Sequence, residues 1–171
     1  MRMCFASGVA FILFLACGGT SPPNGPTADG SSPAVDSGVA GDGSVQQLCV
    51  DTINAYRATV GLPPLDRFAS NESCVDGEAA TDMAKNTAHS AFGTCVVPGA
   101  KAWGQNECPG WPLPVDQSLK ACLAQMWAEG PGTGTAHGHY MNMTNTAYTK
   151  VACGFAISAD GKTFWAAQDF Q

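Results

Sequence analysis

Apolar residues first recur at helical spacing from Val45. Val45, Leu48, Cys49, Ile53, Tyr56 and Val60 share one face, with Thr52 among them. Ser44 stands where an N-cap belongs, and Gly61 with Pro63 and Pro64 ends the helix. A second helix is expected from Asn71 or Glu72 through "ESCVDGEAATDMAKNTAH", where Val75, Ala79 and Met83 step by four. Continued to His89, that phase turns the imidazole toward the same face. A third helix is expected over Val115 to Glu129, with Val115, Leu119, Cys122 and Met126 as its stripe and the Glu129 carboxylate at the end of the buried side. Gly130-Pro131 stops it. Ala91 to Pro114 is rich in glycine and proline, with "KAWGQNE" as a short strand inside it. The C-terminal pattern has a period of two: Val151, Cys153, Phe155 and Ile157, then Phe164, Ala166, Gln168 and Phe170, joined through the turn signal Asp160-Gly161. Helices early and a hairpin late predict an α+β domain with helices packed on an antiparallel sheet.

The N-terminal pattern is of another kind. Arg2 precedes the apolar run "FASGVAFILFLA", Phe5 to Ala16, which is shorter than the ~20 residues a spanning helix needs. It predicts a signal peptide over residues 1–16. "FLACGG" resembles the bacterial lipobox, with Cys17 as the lipidated residue, although Phe14 stands where leucine is usual. Residues 18–44 hold no aromatic residue and cannot bury enough apolar area to offset their chain entropy. With Cys17 they form a tether spanning on the order of 30 Å. Val45 to Gln171 is then one exported domain, monomeric and held at a membrane through the lipid.

Composition narrows the chemistry. The net charge is −6 and both signs are scattered, so no basic stripe invites nucleic acid. Six cysteines lie beyond Cys17: Cys49, Cys74, Cys95, Cys108, Cys122 and Cys153. An even count in an exported domain implies three disulfides, and no CxxC pair suggests a zinc site among them. The pairing is open; Cys95 with Cys108 is the expected one, because the two flank one loop. No Gly-x-Ser-x-Gly elbow accompanies Ser90, which excludes a serine hydrolase of that kind.

The motifs line up as "INAYRATVGLPPL" (Ile53 to Leu65), His89-Ser90, "GQN" (Gly104 to Asn106), "MWAE" (Met126 to Glu129), "GHYMNM" (Gly138 to Met143), "VACGF" (Val151 to Phe155) and "AAQDF" (Ala166 to Phe170). In this order they resemble the CAP superfamily, the SCP domain of cysteine-rich secretory, antigen 5 and pathogenesis-related proteins. The resemblance implies an α-β-α sandwich around a central antiparallel sheet, stabilised by disulfides, with a shallow cleft of two histidines and two glutamates. By position these are His89, His139 and Glu129, with Gln105 where the family has its second glutamate. Glutamine is neither a base nor a good metal ligand. Glu107, two residues on, projects to the same side of a strand.

His89 and His139 are the candidate metal ligands, with Zn²⁺ as the candidate ion, and Glu129 is the candidate residue to orient or deprotonate a bound water. Three readings stand open: a cleft that binds a small molecule, lipid, protein or divalent ion without catalysis; a zinc-dependent hydrolase or peptidase; and an interaction module with a vestigial cleft. His137 is expected on the cleft rim. Tyr140 is expected in the cleft wall or core, and Trp103, Trp127 and Trp165 in the core.

Overall fold

The computed structural model describes residues 44–100 and 103–171; the signal peptide, Cys17 and the tether up to residue 43 lie outside them. Helix α1 runs over Ser44–Thr59, strand β1 over Asp66–Arg67, helix α2 over Ala69–Lys85 and strand β2 over Gly104–Pro112. Helix α3 (Val115–Ala128), a 3₁₀ turn (Thr135–His137), helix α4 (Gly138–Thr144), and strands β3 (Lys150–Ile157) and β4 (Thr163–Phe170) complete the domain. Among the described residues no helix is long and apolar enough to cross a membrane.

The four strands lie in the order β1-β3-β4-β2. The expected antiparallel pairs β3–β4 and β4–β2 are present, but β1 runs parallel to β3, so the sheet is mixed. A two-residue strand carries no alternation to read, which is why β1 escaped the sequence pattern. One face of the sheet packs on α1, α3 and α4 through a core that includes Ile53, Leu119, Leu123, Met143, Phe164 and Phe170. The other packs on α2 through Val75, Ala79, Ala152, Trp165 and Ala167. Helix layers on both sides of one sheet are the expected α-β-α sandwich. The α2 side is built of small residues because the helix lies very close. A Cβ on Gly154 would fall 2.2 Å from the main-chain carbon of Val75.

Three disulfides form: Cys49–Cys153, Cys74–Cys95 and Cys108–Cys122. The expected Cys95–Cys108 bridge is therefore wrong. Cys95 meets α2 while Cys108 on β2 faces α3, so the two point to opposite sides of the sheet. Trp103 also departs from expectation, being 51% exposed, whereas Trp165 is buried.

Arg57 ties the α1 layer together from the inside. It is 1% exposed, and its guanidinium donates to the main-chain carbonyls of Pro63, Met143 and Asn145. Arg57→Met keeps most of the volume but leaves three acceptors unpaired. The expected loss is about 3 kcal/mol, read by urea unfolding, with partial recovery in Arg57→Lys. A loss below about 1 kcal/mol would show that water replaces the guanidinium freely.

Candidate functional site

His89 does not ride on a helix. Helix α2 stops at Asn86, which takes the left-handed conformation (φ 48°), and His89 itself has φ 61°. The expected helical phase thus does not place this residue. A loop clamp does: Asp82 Oδ1 accepts from Ser90 Oγ (2.5 Å) and from the Ala91 N–H (2.7 Å). The His89 residue is exposed, and its Nδ1 meets Gln105 Oε1 at 2.8 Å.

Gln105 is held by three partners. Its Nε2 donates to Glu78 Oε2 and to Asp169 Oδ1, both at 2.9 Å. Asp169 is its direct cross-strand partner on β4, and Glu78 descends from α2. Because the amide nitrogen is committed to two carboxylates, the amide oxygen must face His89. An amide oxygen only accepts, so Nδ1 of His89 carries the hydrogen. In the neutral ring the Nε2 lone pair is then free.

The second histidine pair is built at the end of α3. Glu129 closes that helix, as its place in the sequence predicts, and also caps the start of α4. Its Oε2 accepts the N–H groups of His139 (2.9 Å) and Tyr140 (3.2 Å), while Oε1 accepts from His139 Nδ1 at 2.5 Å. Burial acts to raise the Glu129 carboxyl, but the His139 ring and the backbone donors outweigh it and hold it below the ordinary value. His139 likewise keeps its Nε2 lone pair when neutral. Tyr140 lies tilted against Trp127, which stacks on Tyr56. His137 lies apart from the two pairs, its Nδ1 donating to the carbonyls of Glu129 and Gly130.

Adjacent β2 residues connect the two pairs. Asn106 Nδ2 donates to the His139 carbonyl (3.1 Å), and Asn142 Nδ2 donates to the Gln105 carbonyl (3.1 Å). A cavity of about 400 Å³ opens beside them, lined by Glu107, Pro109, Trp111, Cys122, Gln125, Met126, Glu129 and His139. His89 and Gln105 lie outside that lining.

The donor set fits a divalent ion poorly as a catalytic centre. Two imidazole nitrogens are available, Glu129 is engaged by three donors of its own chain, and Gln105 adds no charge, whereas catalytic zinc uses three protein ligands. Among the described residues, Glu78, Cys95 and Asp169 bring ligand atoms within 4.8 Å of one another. That trio is no metal centre: Cys95 is tied to Cys74, and Glu78 already accepts from Thr94, the Cys95 N–H and Gln105.

Sequence reasoning missed the acids beneath the cleft. Glu78, Asp82 and Asp169 are 1%, 0% and 2% exposed. The signal was present. Glu78 and Asp82 lie four apart and share α2 with Val75 and Ala79, and Asp169 falls in register with Trp165 and Ala167 on a strand buried on both faces. Asn71-Glu72-Ser73 and Asn142-Met143-Thr144 fit the N-glycosylation pattern, but both asparagine side chains hydrogen-bond within the fold.

Comparison with known proteins gives a consistent result. The model of the CAP family, described as the cysteine-rich secretory protein family, matches residues 50–170. Among solved structures, Na-ASP-1 is similar at 16% identity with a TM-score of 0.51, over 88% of this chain and 43% of that one. The venom allergen-like protein 4 of Schistosoma mansoni is 12% identical, with a TM-score of 0.47 over 73% of this chain and 87% of that one. These likenesses concern the fold. No curated protein matches the chain.

Proposed function

The chain belongs to the cysteine-rich secretory protein (CAP) family, and from that premise we propose that it is an exported binding domain whose His/Glu cleft takes a ligand or a divalent ion without catalysis. Three disulfides support an oxidising compartment outside the cytoplasm. The signal-like start and Cys17 support a lipid anchor, for which palmitate labelling lost in Cys17→Ser is the check.

The observation that carries the non-catalytic reading is the tie of Glu129 to three donors of its own chain, which together hold it weakly basic. A general base works best with a pKa near the operating pH. Both oxygens here are occupied by His139 and the first amides of α4, and they hold the carboxyl in its weakly basic form. Gln105 cannot replace it, because its amide is fixed between His89, Glu78 and Asp169. The hydrolase reading is thereby disfavoured.

Calorimetric titration of Zn²⁺ into the oxidised protein tests the cleft. The expected result is weak binding, reduced at least about tenfold in His139→Ala, since one of two imidazole ligands is lost. Titration curves that superimpose for the two proteins would remove His139 from the site. Peptide turnover abolished by chelator would overturn the non-catalytic reading itself.

A further inference from the structure

We propose that the cavity between β2 and α3 takes a small organic cation, a primary ammonium on an aromatic or short aliphatic body, with the ammonium seated at Glu129 and His139. This rests on the reading of the cleft as a non-catalytic binding site and names the class of its ligand.

One wall of the cavity is α3 with its C-cap. Cys122, Gln125, Met126 and Glu129 recur at helical spacing and share one face. The other wall is β2, which lies at the edge of the sheet. Its pairing with β4 breaks between Cys108 and Trp111, where Gly110 has φ 65°, and this irregular end offers Pro109 and Trp111 to the cavity. A bulged strand end commonly re-aims side chains in this way. The Cys108–Cys122 disulfide ties the two walls together, so the space is largely pre-formed. Its volume of about 400 Å³ suits a small organic molecule, and Pro109, Trp111 and Met126 give that molecule apolar sides to lie against.

The polar groups set the sign of the ligand's charge. The side chains of Glu129 and His139 are 21% and 37% exposed, so a guest can reach both. Glu129 accepts three hydrogen bonds from its own chain, but a carboxylate has about four lone-pair sites, which leaves room for one more donor. Burial opposes its charge, yet the His139 ring and the backbone amides keep the carboxyl below its ordinary value, so the charge persists. His139 turns Nδ1 to Glu129, and in the neutral ring Nε2 is a second acceptor. No lysine or arginine is among the described residues that line the cavity. Lys120, on the same helix, lines a different cavity beside Tyr56. A guest carboxylate or phosphate would therefore meet a negative charge with no cation to answer it. A guest ammonium finds two acceptors, and the indole of Trp111 offers a face to its body.

The test is calorimetric titration of the oxidised full-length chain at pH 7 with 2-phenylethylamine, 2-phenylethanol and phenylacetate, which carry the same ring and differ in the head group. The amine is expected to bind at least about tenfold more tightly than the alcohol, and the carboxylate more weakly than either. Gln125→Lys sets a cation in the lining from an exposed position on α3, where the core is untouched. It is expected to weaken the amine at least about tenfold and to strengthen phenylacetate. Glu129→Gln is expected to erase the advantage of the amine over the alcohol. Phenylacetate binding as tightly as the amine, or an amine affinity unmoved in Gln125→Lys, overturns the proposal. Failure of the amine to bind while Zn²⁺ still binds through His139 overturns the ammonium assignment alone. Failure of both overturns the cleft reading with it.

Discussion

Gln105→Glu, the change that restores the family's usual cleft residue, is expected to destabilise the protein by about 3 kcal/mol at pH 7 rather than to rebuild a metal site. Ligand counting in the sequence alone suggests the opposite, tighter zinc. The Gln105 amide nitrogen donates to Glu78 and Asp169 at 2.9 Å each. Replacing it with carboxylate oxygen removes two charge-assisted hydrogen bonds and sets a third acid against two buried ones. Glu78, Asp169 and glutamine at position 105 thus belong together: the acids need the amide, and the amide fixes His89.

The sign of the pH effect follows from which state binds protons more tightly. A carboxyl raised by buried neighbours holds its proton in the folded chain over a range where the unfolded chain has lost it. Its contribution is full below the unfolded value and is lost as pH climbs to the folded one. The Gln105→Glu defect should therefore shrink as pH falls toward about 4.5 and grow above it. Glu107 and Asp169 already impose this slope on the wild type, from ordinary carboxyl values up to about 9 and about 8. Urea unfolding of both proteins at pH 4.5 and pH 7 checks it. Equal stability at pH 7 would mean that the Glu78–Gln105–Asp169 link carries no weight.

Removal of the Cys49–Cys153 bridge, as Cys49→Ala/Cys153→Ala, is expected to lose about 4–5 kcal/mol. The bridge closes a separation of 104 residues, against 21 for Cys74–Cys95 and 14 for Cys108–Cys122. On the chain-entropy account the shortest of these contributes about 3 kcal/mol. Cys49 and Cys153 are both fully buried, joining α1 to the middle of β3. Since a domain of this kind holds on the order of 5–15 kcal/mol in all, the variant should approach unfolding at modest urea. A loss no greater than that of Cys108→Ala/Cys122→Ala would contradict the loop-length argument. Expression in a reducing compartment should resemble the double mutant, which bears directly on where the protein can work.

Several elements were legible without coordinates. The stripes of α1 and α3, the stop at Gly130 and the β3–β4 hairpin all rest on local rules, spacing and turn chemistry, that act over a few residues. Glu129 was also legible, because its role depends on where one helix ends. The number of disulfides followed from the cysteine count. The cysteine partners did not, because Cys95 and Cys108 are close in sequence yet meet opposite faces of the sheet.

The sequence by itself determined the helices, the hairpin and the count of bridges. Tertiary structure alone decided that a left-handed turn, not a helix, presents His89, and that Gln105 is a donor between buried acids. It alone showed that Glu107 is buried, with a carboxyl pushed up to about 9. The physical reason is range. Periodicity reports which way a side chain leaves its own backbone, while burial, hydrogen-bond partners and charge depend on whatever distant segment packs on top of it.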